Sequence, residues 1–425
     1  MDKLSDISGF HKLPIKKRLK VVKEFAGLSR KDVAVLKHNS ALGLKLADMM
    51  SENVIGTTQF PLSVATYFRI NNRDYMVPMA LEEPSVVAAA SHAAKLTRPD
   101  GFHARSDKPI MIGQIQFVNV KNIRAARRKI LKNKKQLLAV ANAQDSLIVK
   151  LGGGARDIEV RFVGKMLIIH LIVNVKDAMG ANLVNTMAEA VTPYIKELVG
   201  GAARLRIISN LATMRLVRAK AVWAKSVLGE EAINSIIDAY EFARLDPYRC
   251  ATHNKGVMNG VDAVAIATGN DFRALEAGAH AFAALDGGYA PLTRYYKNKR
   301  GDLVGEIELP IAAGTVGGIT HSHPVAQVAL KILDVKSAQE LAQVMACVGL
   351  ANNFAALRAM VVEGIQKGHM KLHARHIAMA AGAHGRLIKK LSRIMVKERR
   401  ITSSRAKELL EKFRRKRQNQ NNSNK

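Results

Sequence analysis

The chain reads as an α+β protein: a large mixed α/β domain, a ferredoxin-like β-α-β-β-α-β domain inserted into it, and a small helical region at the C-terminus. Three observations carry this reading. Between Ile110 and Ser209 the hydrophobic period switches in the order strand, helix, strand, strand, helix, strand. The flanks, 1–107 and 212–375, mix Ala-rich helical stretches with glycine-bearing loops, as two parts of one larger domain would. From about Ala378 onward, apolar stripes recur within a strongly basic sequence. A chain of 425 residues, 48% hydrophobic, also exceeds the usual single-core limit. The expected boundaries are 1–107 with 212–375, then 108–211, then 376–425.

The insertion opens on a strand in which Ile115 and Phe117 alternate with Gln114 and Gln116, followed by a helix to about Val140. Ile158, Val160 and Phe162 then alternate with Asp157, Glu159 and Arg161, and an apolar strand from Met166 to Val175 completes a hairpin around Gly164. Leu183, Val184, Met187, Val191, Ile195 and Leu198 mark one face of a second helix, in which Pro193 predicts a kink or break. The last strand is expected to turn Ala203, Leu205 and Ile207 inward and Arg204 and Arg206 outward. In the C-terminal region, Leu387 to Ile394 and Ala406 to Phe413 are the stripes of short helices. The final Q-N-Q-N-N-S-N-K is expected to be disordered.

The net charge is +31, and Arg386 to Arg417 alone carries 14 Lys/Arg against three Glu. Such a surface attracts polyanions. No nucleic-acid-binding motif accompanies it, aromatics are 5%, and Ile158 to Phe162 offers few stacking rings, so the charge is read as solvated helix faces and no specific nucleic-acid partner is expected. The longest apolar run, Met166 to Val175, is interrupted by His170 and Asn174, and the N-terminus has no signal pattern. With two cysteines, Cys250 and Cys347, that form no C-x-x-C pair, a reducing, cytoplasmic setting without membrane contact is expected.

The densest chemistry lies from Asp246 to Asp271, where Arg249, Thr252, His253, Asn254, Lys255 and Asn259 stand among Gly256 and Gly260 without a recognisable period. That pattern predicts a functional loop. Asp177 to Asn182, D-A-M-G-A-N, places a glycine at a strand-to-helix turn, where backbone N–H groups can meet a phosphate at the positive end of the helix dipole. Glu82 to Ser91 sets two carboxylates before Pro84 and a helix of small residues; the acids favour the helix dipole, and one so placed can be desolvated enough to donate a proton. His369 and His373 stand at i and i+4, but Met370 occupies the position of the glutamate in H-E-x-x-H and no third ligand is indicated, so no metal is expected. G-x-G-x-x-G, Walker A and G-x-S-x-G are all missing.

Six motifs in order, E-N-V-I-G (Glu52 to Gly56), E-E-P-S-V-V-A-A-A-S, D-A-M-G-A-N, D-P-Y-R-C-A-T-H-N-K-G-V-M-N-G, A-T-G-N-D (Ala267 to Asp271) and G-H-M, resemble those of 3-hydroxy-3-methylglutaryl-coenzyme A reductases, best the soluble prokaryotic (class II) branch. The resemblance implies a two-step hydride reduction of the thioester to mevalonate and free coenzyme A, or the same reaction run oxidatively. It implies Glu83, Lys255, Asp271 and His369 as the catalytic set, with Asp271 keeping Lys255 charged, and Ser85, Asn210, Arg249 and Asn259 as holders of the substrate. Asp177, Met179, Gly180, Ala181 and Asn182 would cradle the dinucleotide on the ferredoxin-like domain. Asp145 either contacts its ribose, which favours NADH over NADPH, or caps a turn. E-N-V-I-G implies a homodimer, or a higher multiple of dimers, with sites completed across the interface, and the C-terminal region implies a flap bringing in the histidine. His11 to Pro14 and Ala351 to Asn353 depart from the patterns associated with coenzyme A contacts.

Overall fold

The computed structural model describes residues 4–38, 41–363 and 374–422. Three helices, α1 (Ile15–Ala26), α2 (Arg30–Lys37) and α3 (Leu44–Asp48), precede β1 (Leu62–Ile70), β2 (Arg73–Ala80), α4 (Val86–Leu96) and β3 (Phe102–Ser106). Then come β4 (Ile110–Val118), α5 (Ile123–Lys132), α6 (Lys134–Asn142), α7 (Ser146–Lys150), β5 (Gly154–Val163), β6 (Met166–Asn174), α8 (Ala181–Val199) and β7 (Ala202–Ile208). The chain continues through β8 (Leu216–Trp223), α9 (Lys225–Leu228), α10 (Glu230–Leu245), α11 (Pro247–Ala267), α12 (Phe272–Ala283), β9 (Thr293–Lys297) and β10 (Leu303–Pro310). After α13 (Gly318–Ser322), α14 (Pro324–Leu333) and α15 (Ala338–Arg358), it ends in α16 (374–380), α17 (Arg386–Lys397) and α18 (Ser403–Asn422).

Two sheets organise these elements. The larger has the order β2-β1-β3-β8-β10-β9, so strands from before and after residues 110–208 hydrogen-bond directly, β3 to β8. The smaller has the order β5-β6-β4-β7, all antiparallel, which is the ferredoxin-like order. Its core of Ile115, Phe117, Ile130, Leu137, Ile169 and Met187 lies between sheet and helices. Gly113 lets α8 approach β4, since a Cβ there would stand 2.7 Å from Val184 Cγ1.

Several expectations are corrected. The helix after β4 is two, α5 and α6, because Asn133 ends the first. Pro193 sits inside an unbroken α8, held by buried Val191 and Ile195 on either side. On β7, Leu205 and Ile207 are 58% and 45% exposed. A bulge opposite Ile115 and Phe117 shifts the register, so Ile207 pairs with Gln114 on the outer face. The C-terminal polar run continues α18 to Asn422, since Arg, Lys and Gln propagate a helix well.

The largest correction is Asp246 to Asp271, which is no loop. Asp246 caps α11 by accepting from Tyr248 and Arg249 N–H, and Pro247 fills the first position of a 21-residue helix. The helix hides from a periodicity reading because eleven of its residues are buried, several of them polar or glycine, leaving no clean apolar stripe. It packs on α15, itself buried at 15 of 21 positions. A Cβ on Gly260 would meet Val348 O and Asn352 Nδ2 at 2.7 Å, and one on Gly349 would meet Val261 at 3.0 Å, so both helices need glycine to approach this closely. The stretch Ala338–Val362 is long and apolar enough to cross a membrane, but most of it is buried here as the central core helix.

This packing makes a paired prediction. Gly260→Val should destabilise the fold by roughly 1–3 kcal/mol or more through overpacking. Gly256→Ala, whose Cβ would find its nearest neighbour at 3.6 Å, should be neutral or stabilise by up to about 1 kcal/mol from helix propensity. Urea midpoints of both variants decide; equal losses would mean that the helix contact does not limit the fold.

Candidate active site

The face of α11 opposite its buried side carries exposed Lys255, with Asn259 one turn on. The buried side anchors it. His253 Nε2 shares a 2.6 Å hydrogen bond with Thr293 Oγ1, Asn353 Nδ2 donates to His253 O at 2.8 Å, and Tyr295 Oη donates to Asn353 Oδ1 at 2.9 Å. Asn254 accepts from Leu292 N–H at 2.9 Å and donates to Ala290 O at 3.0 Å. Burial, aided by Arg249, pushes His253 down to about 3, so it is neutral at physiological pH. His253 and Asn254 are therefore structural, a correction to their place among the loop's candidate polar groups.

Glu83 lies just before α4, and its Oε2 accepts from Lys255 Nζ at 2.6 Å. The two side chains are 39% and 58% exposed, so the pair contributes little to stability. Ser85 caps α4 in the left-handed region at φ 78°, an unusual conformation for a side-chain-bearing residue. Glu83 and Ser85 line a cavity of about 1030 Å³ whose other walls include Lys12, Arg18, Lys95 and His376. Lys12, Arg18 and Lys95, from the segment before α1, α1 and α4, are cations that suit an anionic ligand, and His376 of α16 adds a hydrogen-bonding ring. Sequence reasoning touched only Lys12, within His11 to Pro14, and there as a departure from coenzyme A contact patterns; the others, dispersed over the chain, form no motif.

Arg249 is half-buried, and its Nη2 lies 3.8 Å from Met360 Sδ. Burial lowers its affinity for its proton, and it forms no ion pair among the described residues. A partly desolvated guanidinium in that condition is equipped to take a carboxylate.

Asp271, expected to keep Lys255 charged in a site completed across a dimer interface, stands apart from Lys255 within one chain. It caps α12, accepting from Arg273 and Ala274 N–H at 3.1 and 3.2 Å, and pairs with Arg273. The helix from Lys255 to Ala267 alone spans roughly 18 Å. Asp262, inward of that end, has its pKa raised by burial and by neighbouring Glu276 of α12, which packs on α11, so α12 folds back along α11 and Asp271 stays at the far end. There it adjoins the D-A-M-G-A-N turn: Asn270 Oδ1 accepts from Gly314 N–H at 2.7 Å, and a Cβ on Gly314 would stand 2.6 Å from Met179 N. The main chain of Asn210 is at this end too, against Gly278 of α12. The chain thus holds two groups of candidates, Glu83, Ser85, Lys255 and Asn259 in one, and Asp177 to Asn182, Asn210 and Asp271 in the other.

At the second group, Gly180 at φ 106° opens α8, which has no side-chain cap. Asp177 is occupied by structure: its Oδ1 accepts from Ala338 N–H and its carbonyl from Thr315 N–H, both at 2.8 Å. Asn182 is exposed. Asp145 caps α7, accepting from Ile148 N–H at 2.9 Å, as its turn-capping alternative requires. Among the described residues no group of three or more His, Cys, Asp or Glu could hold a metal ion. His369 and His373 lie outside the described residues.

Residues 14–374 match the family model for hydroxymethylglutaryl-coenzyme A reductase. The chain is 55% identical over 417 residues to the 3-hydroxy-3-methylglutaryl-coenzyme A reductase of Archaeoglobus fulgidus, covering 96% of this chain and 95% of that one. It is 36% identical to a probable reductase of the same kind from Borreliella burgdorferi, covering 86% and 85%. A solved class II reductase from Streptococcus pneumoniae, bound to NADPH in open conformations, superposes with a TM-score of 0.80 at 42% identity, covering 95% of this chain and all of that one. A second structure of the Streptococcus pneumoniae enzyme gives 0.82 at 42% identity, covering 96% and 99%. The chain belongs to the hydroxymethylglutaryl-coenzyme A reductase family, nicotinamide-dependent oxidoreductases that reduce 3-hydroxy-3-methylglutaryl-coenzyme A to mevalonate.

Proposed function

We propose that Glu83, Lys255, Asp271 and His369 carry out this reduction in sites shared by two copies of the chain. The observation that carries the reading is the 2.6 Å contact of Lys255 with Glu83 at a cation-lined cavity large enough for a coenzyme A thioester. Reducing a thioester to an alcohol takes two hydrides, so two reduced nicotinamides would be consumed per thioester, one for each addition. Each addition leaves an oxyanion, which the Lys255 ammonium stabilises. Glu83, bonded to the same ammonium, takes up a proton from solvent and, as the carboxylic acid, delivers it to that oxygen after the second addition. Between the two, the hemithioacetal C–S bond breaks, and His369 protonates the departing thiolate. Arg249 anchors the substrate's terminal carboxylate, with Ser85, Asn210 and Asn259 on its remaining polar groups.

The separation of Asp271 from Lys255 within one chain supports a homodimer in which Asp271 reaches the partner's Lys255. A fully exposed Ile55 in E-N-V-I-G, with Met49 at 74% exposure, supports an interface there. We assign 108–211 to the nicotinamide dinucleotide, 1–107 with 212–375 to the thioester and dimer contacts, and 376–425 to a closing flap, and we place the enzyme in the cytoplasm, where its two free, buried cysteines fit a reducing setting.

Three outcomes test this. His369→Gln should lower thioester reduction by roughly 10²–10⁴ while sparing most reduction of free mevaldehyde, which has no sulfur leaving group, whereas Lys255→Ala should abolish both. Equal loss of both half-reactions in a folded His369→Gln variant would rule out the thiolate-acid role. Mixing inactive Lys255→Ala and Asp271→Ala dimers under subunit exchange should restore activity, because the heterodimer contains one intact site; no recovery despite exchange would place both groups in one chain's site. NADH should be preferred over NADPH, with Asp145→Ala shifting the kcat/KM ratio toward NADPH; an unchanged ratio would leave Asp145 a turn cap only.

A further inference from the structure

Arg215 precedes β8 and is 3% exposed. Burial lowers it only to about 10, so it carries its charge at neutral pH, with Asp177 opposing the shift. Its Nη1 donates to the carbonyls of Ala178 and Met179, both at 3.2 Å, and its Nη2 to the carbonyl of Ala313. A buried guanidinium spent on main-chain carbonyls is costly to place and makes no sense as a surface charge. In a planar trans peptide the C=O and the following N–H point in opposite directions. By holding the carbonyls of Ala178 and Met179, Arg215 turns the N–H groups of Met179 and Gly180 the other way, beside the uncapped start of α8.

The same side chain ties this turn to the loop after β10. Ala313 is bonded to Arg215, Gly314 to Asn270, and Thr315 to the Asp177 carbonyl. The turn is thereby fixed in shape and backed by the Arg215 guanidinium, its charge partly offset by Asp177, one peptide layer behind its amides. A charge in that position strengthens anion binding without contacting the ligand.

We propose that Arg215 is the positioning residue for the cofactor pyrophosphate, setting the conformation and the potential of the Asp177 to Asn182 turn from behind. This rests on the assignment of that turn to the dinucleotide.

The test uses the full-length dimer and four proteins: wild type, Arg215→Lys, Arg215→Met and Asn182→Asp. Inhibition by ADP-ribose, which contains the pyrophosphate, is compared with inhibition by adenosine, alongside KM for the dinucleotide and the thioester. Arg215→Lys, which keeps the charge with fewer donors, should weaken ADP-ribose and raise the dinucleotide KM roughly tenfold, the equivalent of losing one charge-assisted hydrogen bond. Arg215→Met should exceed this, with the thioester KM and adenosine inhibition unchanged in both. If Arg215→Met does not fold, Arg215→Lys decides alone. Unchanged ADP-ribose binding in folded Arg215→Lys, or equal weakening of ADP-ribose, adenosine and thioester, overturns the proposal. Asn182→Asp sets a carboxylate at the exposed first turn of α8 and should raise the dinucleotide KM through repulsion. If it does so while Arg215→Lys has no effect, the turn binds the dinucleotide and Arg215 is incidental; if neither variant has an effect, the assignment of the turn fails with it.

Discussion

The close contact of α11 with α15 is the constraint on which the rest of the structure depends. Glycines at 260 and 349 let the two helices approach to backbone distance, and the His253, Thr293, Tyr295 and Asn353 network fixes their rotation. That rotation sends Lys255 outward toward Glu83. A polar network in a core is stable only when its members are satisfied, and here nearly all are; His253 Nδ1 is the exception. The same helix pair carries α4 and β8 against it, so Glu83 before α4 and Arg215 before β8 take their places from one packing decision.

Charge is handled in three different ways by three cations of this chain. Lys255 is exposed and paired with Glu83, so its ammonium stays within reach of a ligand. Arg249 is half-buried beside a thioether, which solvates a guanidinium poorly and leaves it ready for a better partner. Arg215 is buried and saturated by carbonyls, so its charge acts only through the peptide groups it holds. The surplus positive charge of the chain adds a long-range field that favours anionic substrates, but these local environments determine what each cation does.

The small sheet was legible in the sequence because its strands are buried on one face and alternate accordingly, until the bulge on β7 reversed the last two apolar residues. α11 was illegible for the opposite reason: buried on most sides, with glycine and polar residues serving packing, it offers no amphipathic period. The motifs pointed to Glu83, Lys255 and the Asp177 to Asn182 turn as candidates, since each falls within a recognisable motif in recognisable order. Linear order could not reveal that Asp271 sits with the turn and away from Lys255, because that depends on α12 folding back. Arg215 had no signal either; an isolated arginine before a strand looks like solvent-facing charge until its burial is seen.

Cys250 lies one helical turn from Lys255 on the covered side of α11, and Cys347 lies within α15. Burial pushes the Cys250 thiol up to about 11 and the Cys347 thiol well above the ordinary cysteine range. An enzyme whose reaction liberates a free thiol works beside a steady source of sulfur nucleophile and, under oxidation, of coenzyme A disulfide. Disulfide exchange needs a thiolate that a sulfur partner can reach, and neither cysteine offers one. The fold therefore protects the catalyst from being capped by its own product, and thiol-directed reagents should find no entry to it short of unfolding.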